Sequence, residues 1–443
     1  MPRPAHRRAL FGVGAALVLT LGLAACGSDS GYQAATAGAC DGKLGRRQTL
    51  TVWSAAASRA EQGVMNRQVA TFNSSQSDIQ VQLTHIPERE YNARVDAAAA
   101  AGSLPDVLEM QSPMVASYAW RGDLQPLYSC LSDDLKANLT PRMISQGSWR
   151  DTLYGVGGED TGLALYARRS VLSAQKLRIP AGPEDAWTVE ELGAALTSLR
   201  KAGYPNPLQL EKGDTRSDWV TFSGAPIVWS AGGDLIDRDG LRSAQGQLNA
   251  KPVVTALKTL QSWTKAGLIN PDPDAFTQGR AALAWGAQDR FADYAASFND
   301  LLVLPLPDWG NGTRTSTGSW QWGISTTADD GDAAWLLVNF LLADDQVIET
   351  TRANGAVPAT RSALDRSPQL GPGQPQALFA RQLQDSDVGV ARPGTPAYPV
   401  ISASFTTAMR EITEGADVQG ALDKAVSAID ADIARHDGYT PPD

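Results

Sequence analysis

The chain has 443 residues, 43% of them hydrophobic and 19% charged, enough for about two domains with real cores and no general disorder. A formal net charge of −10 argues against non-specific attraction to nucleic acid or anionic lipid, and no Lys/Arg block interleaved with aromatics offsets it. The 12 tryptophans outnumber 9 phenylalanines and 10 tyrosines, more than core packing usually prefers, because a buried indole N–H needs a partner.

At the N-terminus Arg3, Arg7 and Arg8 precede an apolar run from Leu10 to Leu23. The run is too short for an ordinary transmembrane helix and suits a signal peptide. It ends in "LAAC", Leu23 to Cys26. Small residues before a cysteine match a bacterial lipobox, so residues 1–25 are expected to be removed and Cys26 lipidated; a plain secretory signal is the alternative. Residues 26–47 then form the lipidated cysteine and a flexible tether. The expected location is the extracytoplasmic face of the cell membrane, held there by the lipid alone. Cys40 and Cys130 remain, in a compartment that permits oxidation, and a Cys40–Cys130 disulfide is expected; two separate buried thiols are the alternative.

"TLTVW" (49–53) alternates apolar residues as a strand does, and Met65, Val69 and Phe72 follow at helical spacing. "DIQVQLTHI" (78–86) places Ile79, Val81, Leu83 and His85 on one strand face. A helix from Tyr91 to Ala101, a short strand "PDVLEM" (105–110) and a helix from Pro113 to Trp120 come next. Strand, helix, strand, helix, strand predicts parallel strands with right-handed crossovers. Thr188 with Glu191 forms a capping box ahead of the Leu192, Leu196, Leu199 stripe. Val253, Leu257 and Leu260 mark another helix, which ends at Gly267; "LLVLPLP" (301–307) is strand-like and residues 331–346 read as one buried helix. The last helix carries Val418, Leu422, Val426, Ile429 and Ile433 on one face. The fold class is α/β, with no internal repeat.

Sheets of this kind bind ligands beyond the carboxyl ends of their strands. That rule nominates Ser54 after the first strand, Glu88 and Arg89 after the second, and Gln111 and Ser112 after the third. Catalysis finds little support. The three histidines are His6, His85 and His436, none beside a suitable partner in sequence, and His85 reads as a core residue. There is no GxSxG elbow and no P-loop. "GVGGEDTG" (155–162) has Asp160 at the third glycine position of a GxGxxG pattern. Glu159 and Asp160 could serve as a glycosidase pair, but adjacent residues point apart and that chemistry needs two facing carboxyls. No enzyme, cofactor or metal is expected.

Several stretches together resemble the extracytoplasmic solute-binding proteins of ABC importers, specifically the sugar-binding family 1 that includes maltose- and trehalose-binding proteins. They are "LPDVLEM", "LYGVGGEDTGLALYARRSVL", "AWTVEELGAALTSL", "SAGGDLID", "FTQGRAALAWG", "NGAVPATRSAL" and "ARPGTPAYPVISASF". The resemblance covers the body from about Leu50 to the C-terminus. It implies a two-lobe, periplasmic-binding-protein-like fold of type II: two mostly parallel sheets flanked by helices and joined by crossing strands. Lobe 1 would hold residues 48–160 with a return segment at 308–343; lobe 2 would hold 161–307 with a C-terminal segment at 344–443.

The resemblance also implies a monomer whose partners are a carbohydrate, a di- or oligosaccharide or an amino sugar, and the transmembrane subunits of an ABC permease. A sugar's apolar C–H face and hydroxyl rim call for flat aromatics with converging polar groups. Trp285 stands where maltose-binding relatives have a stacking tryptophan, followed by Gln288, Asp289 and Arg290 as rim contacts. Trp320 and Trp322, in "GSWQWGIS" (318–325), share a strand face that points either into the cleft or into the core. Trp219 and Trp229 are second-lobe candidates, and Glu159 and Asp160 lie at the first crossing. Trp149, Trp187, Trp263 and Trp335 are assigned to packing. Arg392 matches an arginine that relatives use on sugar hydroxyls. Gln111 replaces the aspartate of several trehalose-type relatives, which disfavours trehalose-like recognition. The alternatives are a non-sugar solute such as a glycerophosphodiester, against which there is no basic cluster at a glycine-rich helix start, and an exported carbohydrate-active enzyme.

Overall fold

The computed structural model describes residues 40, 48–55, 58–211, 218–318 and 320–440. The signal peptide, the lipidation site Cys26 and most of the tether lie outside the described residues. The chain starts as the alternating sequence demands. Strand β1 (Gln48–Ser54) leads into helix α1 (Arg59–Ser75), whose start is fixed by a capping box between Ser58 and Glu61. Strand β2 (Ile79–His85), helix α2 (Glu88–Ala100), strand β3 (Val107–Gln111) and helix α3 (Val115–Trp120) follow. Both β2 and β3 pair with β1 in parallel. On one sheet face Leu50, Val52, Ile79, Val81 and Val107 pack against Met65, Val69 and Phe72 of α1. On the other, Leu108 and Met110 meet Tyr91 and Val95 of α2.

A two-residue strand, β4 (Glu159–Asp160), and then β5 (Leu163–Arg168) carry the chain into a second sheet. Helix α4 (Val189–Lys201) starts at the Thr188/Glu191 capping box. Strand β6 (Leu208–Gln209), helix α5 (Trp219–Ser230), helix α6 (Lys251–Lys265), strand β7 (Ile269–Asn270), strand β8 (Leu283–Ala287) and strand β9 (Leu301–Leu304) complete this body. Its sheet order is β9-β5-β8-β6-β7. Strand β5 runs antiparallel to both neighbours, while β8, β6 and β7 pair in parallel. The second sheet is therefore mixed rather than mostly parallel. Helix α5 is buried from Thr221 to Ser230, as an apolar helix without a polar face must be.

The chain returns through β10 (Thr315–Thr317) and β11 (Trp320–Ile324). Strand β11 joins the first sheet antiparallel to β3, giving the order β11-β3-β1-β2. The segment expected to be one helix over 331–346 is two, α7 (Gly331–Leu341) and α8 (Asp344–Asn354). Ala343 between them has extended backbone, and the turn lays α8 across α1, where Gln68 donates to the Gln346 carbonyl at 3.0 Å and Arg67 pairs with Glu349 at 2.7 Å. The return to the first body thus extends a helix beyond residue 343.

Strand β12 (Val357–Pro358) pairs with β4, and after helix α9 (Ala377–Gln384) strand β13 (Gly389–Ala391) pairs with β10. These two short ladders lie where the chain passes between the sheets. Helices α10 (Tyr398–Thr413) and α11 (Val418–Arg435) close the second body over α5 and α6. Trp120 of α3 meets Tyr439 edge-on at 4.9 Å, so the C-terminus also touches the first body. Cys40 and Cys130 form a disulfide with their Cα atoms 5.0 Å apart. The architecture is the two-lobe, periplasmic-binding-protein-like α/β fold.

Candidate functional site

The carboxyl end of β3 and the first turns of α1 and α2 face the carboxyl end of β8 and the first turn of α5. Between them lies an open cleft. Trp320 enters it from the first lobe. It is half-buried, its ring edge-on to Tyr91 at 5.5 Å, and the Tyr91 hydroxyl donates to the Trp53 carbonyl at 3.2 Å. The indole is thereby held with part of its surface open. Trp219 enters from the second lobe at the start of α5, half-buried and 6.0 Å from Phe222. Trp322, two residues from Trp320 and opposite Glu109 in the ladder, lines an adjoining pocket with Ser54 and Glu109.

Two other tryptophans are corrected. Trp285, expected as a stacking platform, is 2% exposed on β8, a strand buried at all five positions. It has no face to offer. Trp229 is 4% exposed near the far end of α5, and its indole N–H donates to Asp234 at 2.8 Å. Trp149, Trp187, Trp263 and Trp335 are buried.

Arg392 is only 8% exposed yet lines the cleft. One guanidinium nitrogen stands 3.0 Å from Asp218, and its carbon lies 4.8 Å from the centre of the Phe222 ring. Asp218 also accepts from Tyr398 at 2.5 Å and Ser402 at 2.7 Å. Two charges of opposite sign are thus buried with their needs largely met. The Nε of Arg392 is buried without a hydrogen-bond partner.

The remaining charges are negative. Glu88, at the start of α2, is pushed up to about 7 by burial and then by Asp218, Asp289 and Glu61. Asp289, just beyond β8, is also raised by burial. Glu109 is pushed up to about 7 by burial, although it accepts from the Ala55 N–H at 2.8 Å and Ser54 Oγ at 2.9 Å. Glu159 lines both pockets and accepts from Asn354 at 2.7 Å. Gln111 also borders the cleft, 3.4 Å from the Asn92 amide.

Several expected contacts serve the crossing instead. Asp160 is buried and accepts from the Thr161 N–H at 2.9 Å and the Gly318 N–H at 2.7 Å; burial raises it to about 6 despite nearby Arg142. Gln288 borders the cleft but is 0% exposed, its amide taken by the Gly162 N–H at 2.7 Å and the Gly355 carbonyl at 3.1 Å. Ser112 is buried under Gly318. Arg89 points to solvent and pairs with Glu90 at 3.3 Å. Arg290 donates to the Pro273 carbonyl at 3.0 Å. Ser54 is buried against Glu109. His85 is half-buried and bonds Asn66 at 3.0 Å.

Sequence inspection missed Glu61, Asp218, Phe222 and Asn354, all in the cleft lining. The Ser58/Glu61 capping box gave a usable signal: it marks the helix start immediately after the first strand. Asp218 had none, because its partner Tyr398 is 180 residues away.

The model for the bacterial extracellular solute-binding proteins matches residues 67–375, well over half of the chain. The chain belongs to this family. Among curated proteins, this solute-binding protein is 24% identical over 289 residues to a probable amino-acid ABC transporter periplasmic-binding protein of Sinorhizobium fredii, the match covering 60% of the chain and 64% of that relative. Among solved structures it is similar to the GacH receptor of Streptomyces glaucescens, studied unliganded and with acarbose (20% identity, 89% of this chain, 98% of that one, TM-score 0.74). It is also similar to an ABC transporter solute-binding protein of Thermotoga lettingae bound to α-D-tagatose (20% identity, 87% and 99%, TM-score 0.75). These likenesses establish the fold. Membership places the solute-binding protein outside the cytoplasm, and no helix among the described residues is long and apolar enough to cross a membrane.

Proposed function

We propose that this solute-binding protein is the lipid-anchored receptor of an ABC importer, capturing a carbohydrate in the interlobe cleft and handing it to the permease. The carrying observation is that one half-open tryptophan from each lobe, Trp320 and Trp219, lines the same cleft beside Arg392. Two indoles suit the apolar faces of a pyranose, and the polar groups between them suit its hydroxyls. A ligand touching both lobes stabilises the closed form through contacts that the open form lacks. An amino acid is less well served. Its carboxylate needs a cation, and the one guanidinium among the described lining residues is already paired with Asp218.

Intrinsic fluorescence and calorimetry against a panel of mono-, di- and oligosaccharides test the proposal. At least one sugar is expected to bind and be recovered intact. Trp320→Ala is expected to weaken that binding by about tenfold or more, an aromatic contact of roughly 1.5 kcal/mol, with little change in the melting temperature of the free protein. Binding of amino acids but no sugar overturns the proposal, and recovery of cleaved sugar would show an enzyme.

A further inference from the structure

The cleft carries more negative charge than a neutral sugar requires. Among the described residues five carboxylates line it, Glu61, Glu88, Glu159, Asp218 and Asp289, against one guanidinium, Arg392. Three have partners: Asp218 is bound to Arg392, Tyr398 and Ser402, Glu159 accepts from Asn354, and Glu61 caps α1 through the Ser58 N–H at 2.8 Å. Glu88 and Asp289 face no cation at ion-pair distance among the described residues. The arginines next to them in sequence turn away, Arg89 to Glu90 and Arg290 to Pro273 and Asp293.

Glu88 belongs to the first lobe and Asp289 to the second. Burial and mutual repulsion act on Glu88 across the cleft, so an empty cleft that closes brings like charges together out of water, a costly arrangement. Arg392 lines the same space with what remains exposed of its guanidinium, a donor that suits ligand hydroxyls and that a bare polyamine, with no acceptor, cannot use. The carboxylates, the guanidinium and the two indoles fit one ligand class.

We propose that the ligand is a cationic saccharide, an amino sugar or aminocyclitol glycoside whose ammonium group sits between Glu88 and Asp289 and whose hydroxyls face Arg392. This rests on the carbohydrate reading of the cleft. The ammonium replaces interlobe repulsion with two attractions, so it serves as the clamp that couples recognition to closure.

The test is calorimetry at pH 7 with matched pairs differing in one substituent class: trehalose with 2-amino-2-deoxytrehalose, and cellobiose with the β-1,4 glucosamine dimer. Kanamycin A is added as an aminocyclitol glycoside, with spermidine as a sugar-free amine. An amine-bearing saccharide is expected to bind at least about tenfold tighter than both its hydroxyl partner and spermidine. Glu88→Gln and Asp289→Asn should each remove most of that preference without lowering the melting temperature of the free protein. Neutral sugars binding as tightly as the amines overturns the inference and leaves the carbohydrate reading standing. Spermidine binding as well as the aminated sugars also overturns it. If no saccharide of either kind binds while an amino acid does, both fall.

Discussion

At the scale of single residues the cleft sets carboxylates where water is scarce, and the protein's stability should register it. Glu109 sits beneath Trp322 on β3, held by the Ser54 hydroxyl and the Ala55 N–H. Burial outweighs both hydrogen bonds and lifts it from 4.5 to about 7. Because the folded value lies above the unfolded one, the folded state binds the extra proton. The stabilisation is full below about 4.5 and lost as pH rises through about 7. Glu88 and Asp160 are raised by the same cause and act in the same direction. The melting temperature of the free protein is therefore expected to fall between pH 5 and pH 8. Glu109→Gln should flatten part of that fall, its share being at most about 3 kcal/mol. A melting temperature that rises across this range contradicts the assignment.

Elements were more legible in the sequence than the ends of their side chains. Strand patterns located β1 to β3, helical spacing located α1 and the Thr188/Glu191 capping box located α4, because period and cap chemistry are local. The orientation of Trp285 was not legible. A strand buried on both faces has no periodicity to mark an open side, and a motif that places a tryptophan there does not say which way it points. Trp320 and Trp322 share one face of the strand at the edge of the first sheet; both line the adjoining pocket, and of the two only Trp320 also lines the cleft. Asp160, at the first crossing, and Gln288, on the rim, both read as ligand contacts because crossings and rims are equally polar. Only the fold shows that backbone N–H groups at the crossing consume their oxygens.

The link between α5 and α10 is the most testable product of long-range packing. Asp218 precedes α5, Arg392 follows β13, and Tyr398 and Ser402 lie on α10. Arg392→Met leaves Asp218 buried with two hydroxyls and no countercharge, at an expected cost of about 3–5 kcal/mol. Asp218→Asn alone leaves the guanidinium unpaired and costs a comparable amount. The double variant removes both charges, so in urea unfolding its loss should be less than the sum by more than about 1 kcal/mol. Additivity would mean that the two charges do not depend on each other.

For the whole molecule, the proposed capture depends on two lobes turning about the crossing, and one glycine there has a backbone that side chains rarely adopt. Gly318 has φ +121. It donates its N–H to Asp160 on the first crossing and accepts from Thr161 at 2.7 Å through its carbonyl. It therefore stitches the outgoing and returning chains together. A Cβ at this position would stand 2.5 Å from Ser112 Oγ and 3.2 Å from the Arg392 guanidinium, striking the floor of the first lobe and the cleft arginine at once. Gly318→Ala should thus cost about 1–3 kcal/mol in backbone strain alone and displace Ser112 and Arg392. Small-angle scattering and calorimetry together separate the two effects. The wild-type protein should contract on binding its ligand and gain about 2.7 kcal/mol of stability at a hundredfold excess over Kd. The variant, folded but strained, should bind more weakly and contract less at matched occupancy. If it contracts and binds as the wild type does, closure does not pass through this joint.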